Sequence, residues 1–98
     1  MKKPIFDKYA VAVAKSFHLE IEKLFVKSKK RTLVDARQIL YFLCMERPIR
    51  LTYIKQYLGE HGYHVPMSSI LHGYERAQKM VNEDPDYKEL VDKIQSEV

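Results

Sequence analysis

An all-α fold, a compact bundle of about six helices, is predicted by two features of the sequence. Apolar residues recur at three- and four-residue spacing over most of the chain, which is the period of one helix face. Two of the three glycines, Gly59 and Gly62, and the four prolines fall between or at the start of these segments and not at the short regular intervals typical of strands and hairpins. Ninety-eight residues suffice for a modest core, so we expect residues 1–98 to form a single domain.

The composition is that of an ordinary soluble protein, with 46% hydrophobic and 31% charged residues. No apolar run approaches the roughly 20 residues of a membrane span, and Lys8 and Lys15 interrupt the apolar block that a signal peptide needs. We therefore expect an intracellular protein without a membrane partner. The one cysteine, Cys44, lies in an apolar run and is interpreted as a buried, inert thiol.

Charge is distributed unevenly along the chain. Residues 1–81 hold 15 Lys and Arg against 7 Asp and Glu, whereas residues 82–98 hold 2 against 6. A basic body with an acidic last segment favours a polyanionic partner for the body. The densest cluster, residues 27–31 (KSKKR), is either a solvated loop or a loop that follows a phosphate backbone and inserts one side chain into a minor groove.

The first quarter of the chain is interpreted as structural. A helix is predicted from Pro4 to about Ser16. We place Ser16 on the buried side of this helix, with Ile5 and Tyr9. After a corner, a short second helix over residues 20–25 should supply further core.

A long central helix is predicted after the basic loop, with Thr32 as its N-cap and Asp35 in a capping-box-like arrangement. It should end at about Glu46 because Pro48 cannot continue it. Its apolar positions are assigned to the core: Leu33, Ala36, Ile39, Leu40, Leu43 and Cys44.

The polar side of this central helix is predicted to carry Arg37 and Tyr41. Arg37 lies close in sequence to the basic loop. It is therefore a candidate phosphate clamp, because a guanidinium can donate two parallel hydrogen bonds to a phosphate.

The segment from Leu51 to Val81 predicts two helices joined by a corner. The first helix buries Leu51, Ile54 and Leu58, and the corner at residues 59–65 is longer than the usual turn of a helix-turn-helix. Pro66 suits the first turn of the second helix. The second helix has an inward stripe of Ile70, Tyr74, Ala77 and Val81, and an outward face of Ser68, Ser69, His72 and Arg76. Its N-terminus can meet a phosphate with free N–H groups.

A last, acidic helix is predicted from Pro85 to about Ser96, with Asp84 as its N-cap. Its inward positions are Tyr87, Leu90, Val91 and Ile94. We expect it to pack on the side away from a polyanion because of its negative charge.

Together these stretches resemble the C-terminal DNA-binding domain of the bacterial replication initiator DnaA, a helical domain of the Trp-repressor-like helix-turn-helix type. The resemblance covers about residues 13–81. Residues 27–38 match the family's basic loop and the ARQ that opens its long helix, 51–54 (LTYI) match its LPEI, and 68–73 (SSILHG) match its TTVLHA. The resemblance implies a helix-turn-helix fold preceded by a basic loop, with double-stranded DNA as the partner.

The resemblance also implies individual contacts. The family's minor-groove arginine falls at Lys29, and its backbone-contacting Arg-Gln pair falls at Arg37 and Gln38. Ser68 and Ser69 stand where the family has threonines that meet a thymine methyl and the backbone. The candidate DNA-binding residues are Lys27, Lys29, Lys30, Arg31, Arg37, Gln38, Thr52, Lys55, Met67, Ser68, Ser69, His72 and Arg76.

The sequence departs from the family at the start of its recognition helix. The family begins this helix with GGRDH, whose Asp and His read bases. Here the corner is about four residues longer, and Pro66 and Met67 occupy those two positions. Thr52 and its neighbours at the helix start are expected to touch phosphate, and Arg76 replaces a nearby lysine of the family that is expected to do so. Binding to duplex DNA therefore carries over, while recognition of the initiator's own box does not. No GxxxxGK[ST] motif is present, so we do not expect a complete initiator.

We expect a small DNA-binding protein that regulates replication or transcription in the cytoplasm of a bacterial or phage-infected cell, with a homodimer or a replication or transcription protein as a further partner. The alternative is an interaction module that has lost specific DNA readout and docks through its acidic last helix. An enzyme is not expected, since no carboxylate pair or nucleophile–base pair stands out. No cofactor is expected, and His61 and His64 lack the further ligands of a zinc site.

Overall fold

Five α-helices and one short 3-10 helix make up residues 3–98, the part of the chain described by this computed structural model. They are α1 (Lys3–Ser16), the 3-10 helix (Ile21–Phe25), α2 (Arg31–Glu46), α3 (Leu51–Glu60), α4 (Met67–Glu83) and α5 (Pro85–Glu97). No strand occurs among these residues, so the all-α prediction is confirmed. None of the described helices is both long enough and apolar enough to cross a bilayer.

Helix α2 is the centre of the bundle and packs against all four of the other α-helices, most extensively against α4. The residues that the sequence assigned to its core are all buried: Leu33, Ala36, Ile39, Leu40, Leu43 and Cys44. Burial raises the pKa of the Cys44 thiol well above its usual range, which keeps the thiol protonated and inert. The predicted end of the helix at Glu46 is also confirmed.

Helices α2 and α4 pack closely at Tyr41 and Gly73. A Cβ atom added to Gly73 would lie 2.7 Å from Cδ2 and 2.9 Å from Cε2 of the Tyr41 ring. Tyr41 is 5% exposed, so its predicted place on the polar side of the helix is wrong. The reason is that α4 covers this side of α2, which the period of α2 alone cannot indicate.

Left-handed residues end two of the helices. His18 has φ of 56°, and the Leu19 N–H donates to the Ala14 carbonyl at 2.8 Å, closing α1 with a Schellman motif. Gly62 has φ of 82° and closes α3 in the same way, through the Tyr63 N–H and the Leu58 carbonyl at 2.9 Å. The predicted corner after α1 is therefore confirmed. The corner between α3 and α4 was predicted to start at residue 59, which is wrong because α3 continues to Glu60 and Gly62 is the glycine that ends it.

The sequence prediction of N-caps is right for α5 and wrong for α2. The Asp84 carboxylate accepts from the Asp86 N–H at 2.9 Å, and Pro85 is the first residue of α5. Helix α2 begins at Arg31 and has no side-chain cap, so Thr32 is not its N-cap. The Asp35 carboxylate instead accepts from the Tyr87 hydroxyl at 3.1 Å and from Arg31 Nε at 3.3 Å.

Two smaller expectations about helix starts and faces also differ from the structure. Ser16 is exposed, and Ala14 takes the buried position at this end of α1. Pro66 is the N-cap of α4 and not its first residue, which is Met67. The inward stripe of α4 is present, with Ile70, Ala77 and Val81 buried.

Replacing Gly73 by alanine should destabilise the protein by about 1–3 kcal/mol, since the new methyl group overlaps the buried Tyr41 ring. This loss would outweigh the gain of about 1 kcal/mol that alanine brings to a helix interior. Urea denaturation measures the difference. Gly59→Ala is the matched control, because its Cβ would meet only the His64 ring at 3.3 Å. Equal stability of the two variants would contradict the close approach.

Replacing Tyr87 by phenylalanine should lower the free energy of unfolding by about 1–2 kcal/mol. The Asp35 side chain is only 13% exposed and would lose the donor that ties α5 to α2. Tyr53→Phe, on the exposed surface of α3, is the control and should change stability by less than about 0.5 kcal/mol. Thermal or urea denaturation that gives the two variants the same stability would contradict this role of Tyr87.

Candidate nucleic-acid interface

The N-terminal halves of α2 and α4 meet at a small crevice of about 110 Å³. Tyr41 and Tyr63 form buried walls, while Gln38 from α2 and Ser69 and His72 from α4 reach its more exposed edge. Three residues predicted to contact DNA from separate parts of the sequence are therefore brought together. The crevice exists because the missing side chain of Gly73 lets the two helices approach.

Helix α4 presents the predicted polar face to the outside. Ser68, Ser69, His72 and Arg76 are all exposed, and Arg76 Nε donates to His72 Nε2 at 3.2 Å. The N-terminus of the helix has no side-chain cap. The Ser69 N–H donates to the Pro66 carbonyl at 3.1 Å, so the N–H groups of Met67 and Ser68 are those available to an external acceptor. An anion is the natural acceptor, because the helix dipole is positive at this end.

Three exposed residues of α4 were missed by the sequence analysis. Lys79 stands seven residues after His72, on the same helix face, and Glu75 lies between them. Leu71 is 41% exposed and lies four residues after Met67, which is 39% exposed. The helical spacing already indicated Lys79. The exposure of Leu71 was hidden because an apolar residue next to Ile70 is usually assigned to the core.

The basic segment keeps its charges in solvent, as predicted. Lys27, Lys29 and Lys30 are exposed, and the Arg31 side chain is 88% exposed in the first turn of α2. Cations beside a helix N-terminus are unfavourable by a few tenths of a kcal/mol each, since the helix dipole is positive there. No acidic residue lies in this turn and no side chain caps it, so the site favours an anion from outside.

Arg37 does not have the surface position expected of a phosphate clamp. It is 6% exposed. Its Nε donates to the Leu24 carbonyl at 3.0 Å and its Nη2 to the Val26 carbonyl at 2.8 Å. Its guanidinium carbon lies 4.6 Å from the centre of the Tyr63 ring, within range of a cation–π interaction. Arg37 therefore anchors the base of the basic segment to α2 and to the chain between α3 and α4.

The remaining predicted contacts lie apart from the crevice. Thr52 and Lys55 are exposed on α3, and neither side chain lines the crevice. Met67 is exposed at the first residue of α4. These residues are accessible to a large partner that spans α3 and α4, and not to a small ligand in the crevice.

His61, one of the two histidines between α3 and α4, packs against the 3-10 helix and α1. The His61 ring stacks on Phe25 with ring centres 4.1 Å apart, and its Nε2 lies 3.4 Å from Asp7 Oδ1. Among residues 3–98 there is no cluster of three His, Cys, Asp or Glu side chains that could hold a metal ion.

A second concavity is an open groove of about 1010 Å³ between α1 and α5. Its lining is mixed in charge, with Lys8 and Lys15 from α1 and Glu89 and Glu97 from α5. Val11 is 54% exposed beside them.

Comparison of the sequence with models of known protein families gives no match, and comparison with curated proteins gives none either. The function is therefore inferred from the residues and their geometry.

Replacing Arg37 by methionine should lower the free energy of unfolding by about 2–4 kcal/mol, because two hydrogen bonds from a buried cation disappear together with its packing on Tyr63. Lys30→Met removes a cation from the neighbouring exposed loop and should change stability by less than about 0.5 kcal/mol. Urea denaturation followed by circular dichroism measures both. An Arg37→Met variant as stable as the parent would mean that this guanidinium has no structural role.

Proposed function

We propose that the protein binds double-stranded DNA and regulates replication or transcription. In this proposal α3 and α4 act as a helix-turn-helix, with α4 in the major groove and the basic segment, residues 27–31, on the phosphate backbone or in a minor groove. One observation carries the proposal. The N-termini of α2 and α4 both lack a side-chain cap, and the N-terminal halves of these two helices meet at one crevice. Cations stand at the start of α2, and α4 has an exposed polar face.

Charge supports a polyanion as the partner. The exposed lysines of residues 27–30 precede the positive end of α2, where a cation is unfavourable for the isolated protein, whereas Arg31 is already paired with the Asp35 carboxylate at 3.3 Å. Phosphate groups would remove this repulsion and accept hydrogen bonds from the free N–H groups of both helices. Arg76 and Lys79 add two exposed cations to α4 beside Glu75, whereas four of the six acidic residues of 82–98 lie on α5.

The resemblance to the DnaA C-terminal domain supports the same function, since its three matching stretches include the basic segment and the exposed face of α4. Arg37 is removed from the proposed phosphate contacts because it is buried. Six residues, 61–66, separate α3 from α4, which is longer than the usual turn, so the bound sequence is expected to differ from the initiator's box. A homodimer on two half-sites would extend the short site that one helix can read.

Replacing Lys29, Lys30 and Arg31 together by glutamine should weaken binding to duplex DNA and flatten its salt dependence. Five or six phosphate contacts predict a slope of log K against log salt of about −5, and removing one cation from the phosphates reduces the magnitude of the slope by about 0.9. The triple variant should therefore show a slope of about −2. Fluorescence anisotropy with a labelled 24-base-pair duplex, from about 50 to 200 mM salt, measures both slopes.

The matched control replaces three exposed lysines along the α1–α5 groove, Lys8, Lys15 and Lys93, and should keep the slope of about −5. Equal slopes for the parent and the triple loop variant would exclude the basic segment from the interface. If the parent protein does not bind duplex DNA even at low salt, the proposed function is wrong.

The second candidate function is a protein-interaction module of a replication or transcription complex. The open groove between α1 and α5 favours it, because half of this groove belongs to the acidic helix that DNA would repel. A replication or transcription protein that presents charges of both signs would suit this mixed surface. The two functions are separated by the same anisotropy titration, since a module without DNA readout would leave the duplex free at low salt.

A further inference from the structure

The open groove between α1 and α5 carries opposite charges on its two flanks. On the α1 flank the exposed cations are Lys8 and Lys15, seven residues apart. On the α5 flank Glu89 and Glu97 are exposed, eight residues apart. At a rise of about 1.5 Å per residue, the lysines are about 10 Å apart along α1 and the glutamates about 12 Å apart along α5. The two flanks therefore have charges of opposite sign at nearly equal spacing.

The two helices run antiparallel, which brings these charges to the same levels. The Phe17 ring, just after α1, lies 6.3 Å from the ring of Tyr87 in the first turn of α5. Counting back along α1 and forward along α5 from this contact places Lys15 at the level of Glu89, and the other lysine and glutamate meet at a common level two turns further on. No ion pair among residues 3–98 joins these side chains across the groove. Both flanks therefore remain available to a partner.

Apolar side chains lie between the two charged flanks. Val11 is 54% exposed, and Ala12, Leu90 and Val98 also line the groove. A partner that covers these side chains meets cations on one side and anions on the other. The glutamates of α5 repel duplex DNA and acidic proteins, and the lysines of α1 repel basic proteins.

A second copy of the chain presents the required combination of charges. With a two-fold axis parallel to the helices, α1 of each copy covers α5 of the other, and lysines meet glutamates at the same levels. With the axis across the helices, α1 would cover α1 and like charges would meet. We propose that two copies of this protein associate through the α1–α5 groove in the first arrangement, so that their α1 and α5 helices form an antiparallel four-helix bundle.

The other charged residues of the groove are compatible with this arrangement. Lys93 stands four residues from both glutamates and, by the same count, at the level of Val11. Its aliphatic stem can cover Val11 of the second copy while its ammonium group stays in solvent. Asp7 is already paired with Lys3 at 3.2 Å, and Asp86 adds a negative charge to the α5 flank.

The inference rests on the proposed function for the use of the dimer, since two copies bring two α4 helices to one duplex. The dimer itself can be measured without DNA. The residues that line the α1–α5 groove and those that line the crevice between α2 and α4 are different. Loss of pairing therefore changes how many copies share a duplex and not the phosphate contacts of each copy.

Sedimentation equilibrium without DNA tests the pairing. Helices of 14 and 13 residues form a small contact face, so we expect a dissociation constant of about 10–100 μM. Over a concentration range of about 5–500 μM, the mass of the parent should rise from the 11.6 kDa of one chain towards twice that value.

Charge reversal of one flank at a time assigns the contact. Lys8→Glu with Lys15→Glu makes both flanks acidic. Glu89→Lys with Glu97→Lys makes both flanks basic. Each variant alone loses the lysine–glutamate pairs in both halves of the dimer and should associate about thirtyfold more weakly than the parent. An equimolar mixture of the two variants restores opposite charges at every level and should form a mixed dimer with the affinity of the parent.

The matched control is Lys23→Glu with Arg50→Glu. It changes the net charge as much as the acidic variant does, at exposed positions outside the groove, and should associate like the parent. The reversed side chains are all exposed, so thermal unfolding followed by circular dichroism should give every variant nearly the stability of the parent.

Three outcomes would overturn the inference. A parent that keeps the mass of one chain at the highest concentration would leave the groove to a different protein. Variants that associate as tightly as the parent would place the dimer contact on another surface. A mixture that stays monomeric would exclude the pairing of lysines with glutamates. Failure to bind duplex DNA would remove the proposed function and leave each of these mass measurements unchanged.

Discussion

The contact between Tyr41 and Gly73 is the constraint on which the proposed interface depends. A phenol ring occupies the space of a missing side chain, and this allows α4 to cross α2 closely enough for Gln38, Ser69 and His72 to share one crevice. Burial is the largest of the factors that raise the pKa of Tyr41, so its hydroxyl stays protonated within this contact. At the other end of α2, the Tyr74 hydroxyl donates to Glu46 at 2.7 Å. This hydrogen bond, with some burial, raises the pKa of Tyr74 to about 12, and the neutral form it favours holds the same pair of helices together.

Arg37 positions the basic segment and does not bind phosphate itself. A guanidinium that donates to two backbone carbonyls and lies over the Tyr63 ring is unavailable to a phosphate. In return, the chain just before Lys27 is held against α2, so the cations that follow start from a defined place near the crevice. The buried Arg37 therefore positions the segment, while the exposed cations of residues 27–31 are the ones available to a phosphate.

Opposite charges occupy different elements of the fold. The cations of residues 27–31 and of α4 are exposed, while α5 holds four acidic residues against two lysines. The two parts are joined where the Tyr87 hydroxyl donates to Asp35, whose carboxylate also accepts from Arg31. Burial and, next, the Asp35 carboxylate raise the pKa of Tyr87, which keeps the hydroxyl a donor at neutral pH. The first turn of α5 is therefore fixed to the bundle beside Arg31 of the basic segment, so the expectation that this helix packs away from the basic side is wrong at its N-terminal end.

The sequence was sufficient to predict the all-α class, the core face of α2 and the exposed face of α4. The signals were helical periodicity, Asp84 as the N-cap before Pro85, and Pro48 as the residue that ends α2. These features depend on neighbours within about four residues along the chain, which is why the sequence alone determines them. Tyr41, Arg37 and Asp35 were assigned wrongly because each is satisfied by a distant residue: Gly73, the Leu24 and Val26 carbonyls, and Tyr87. The exposure of Leu71 depends likewise on which side of α4 the bundle covers. Only tertiary packing decides such positions, because a polar or apolar side chain is buried or exposed according to the helix that lies over it.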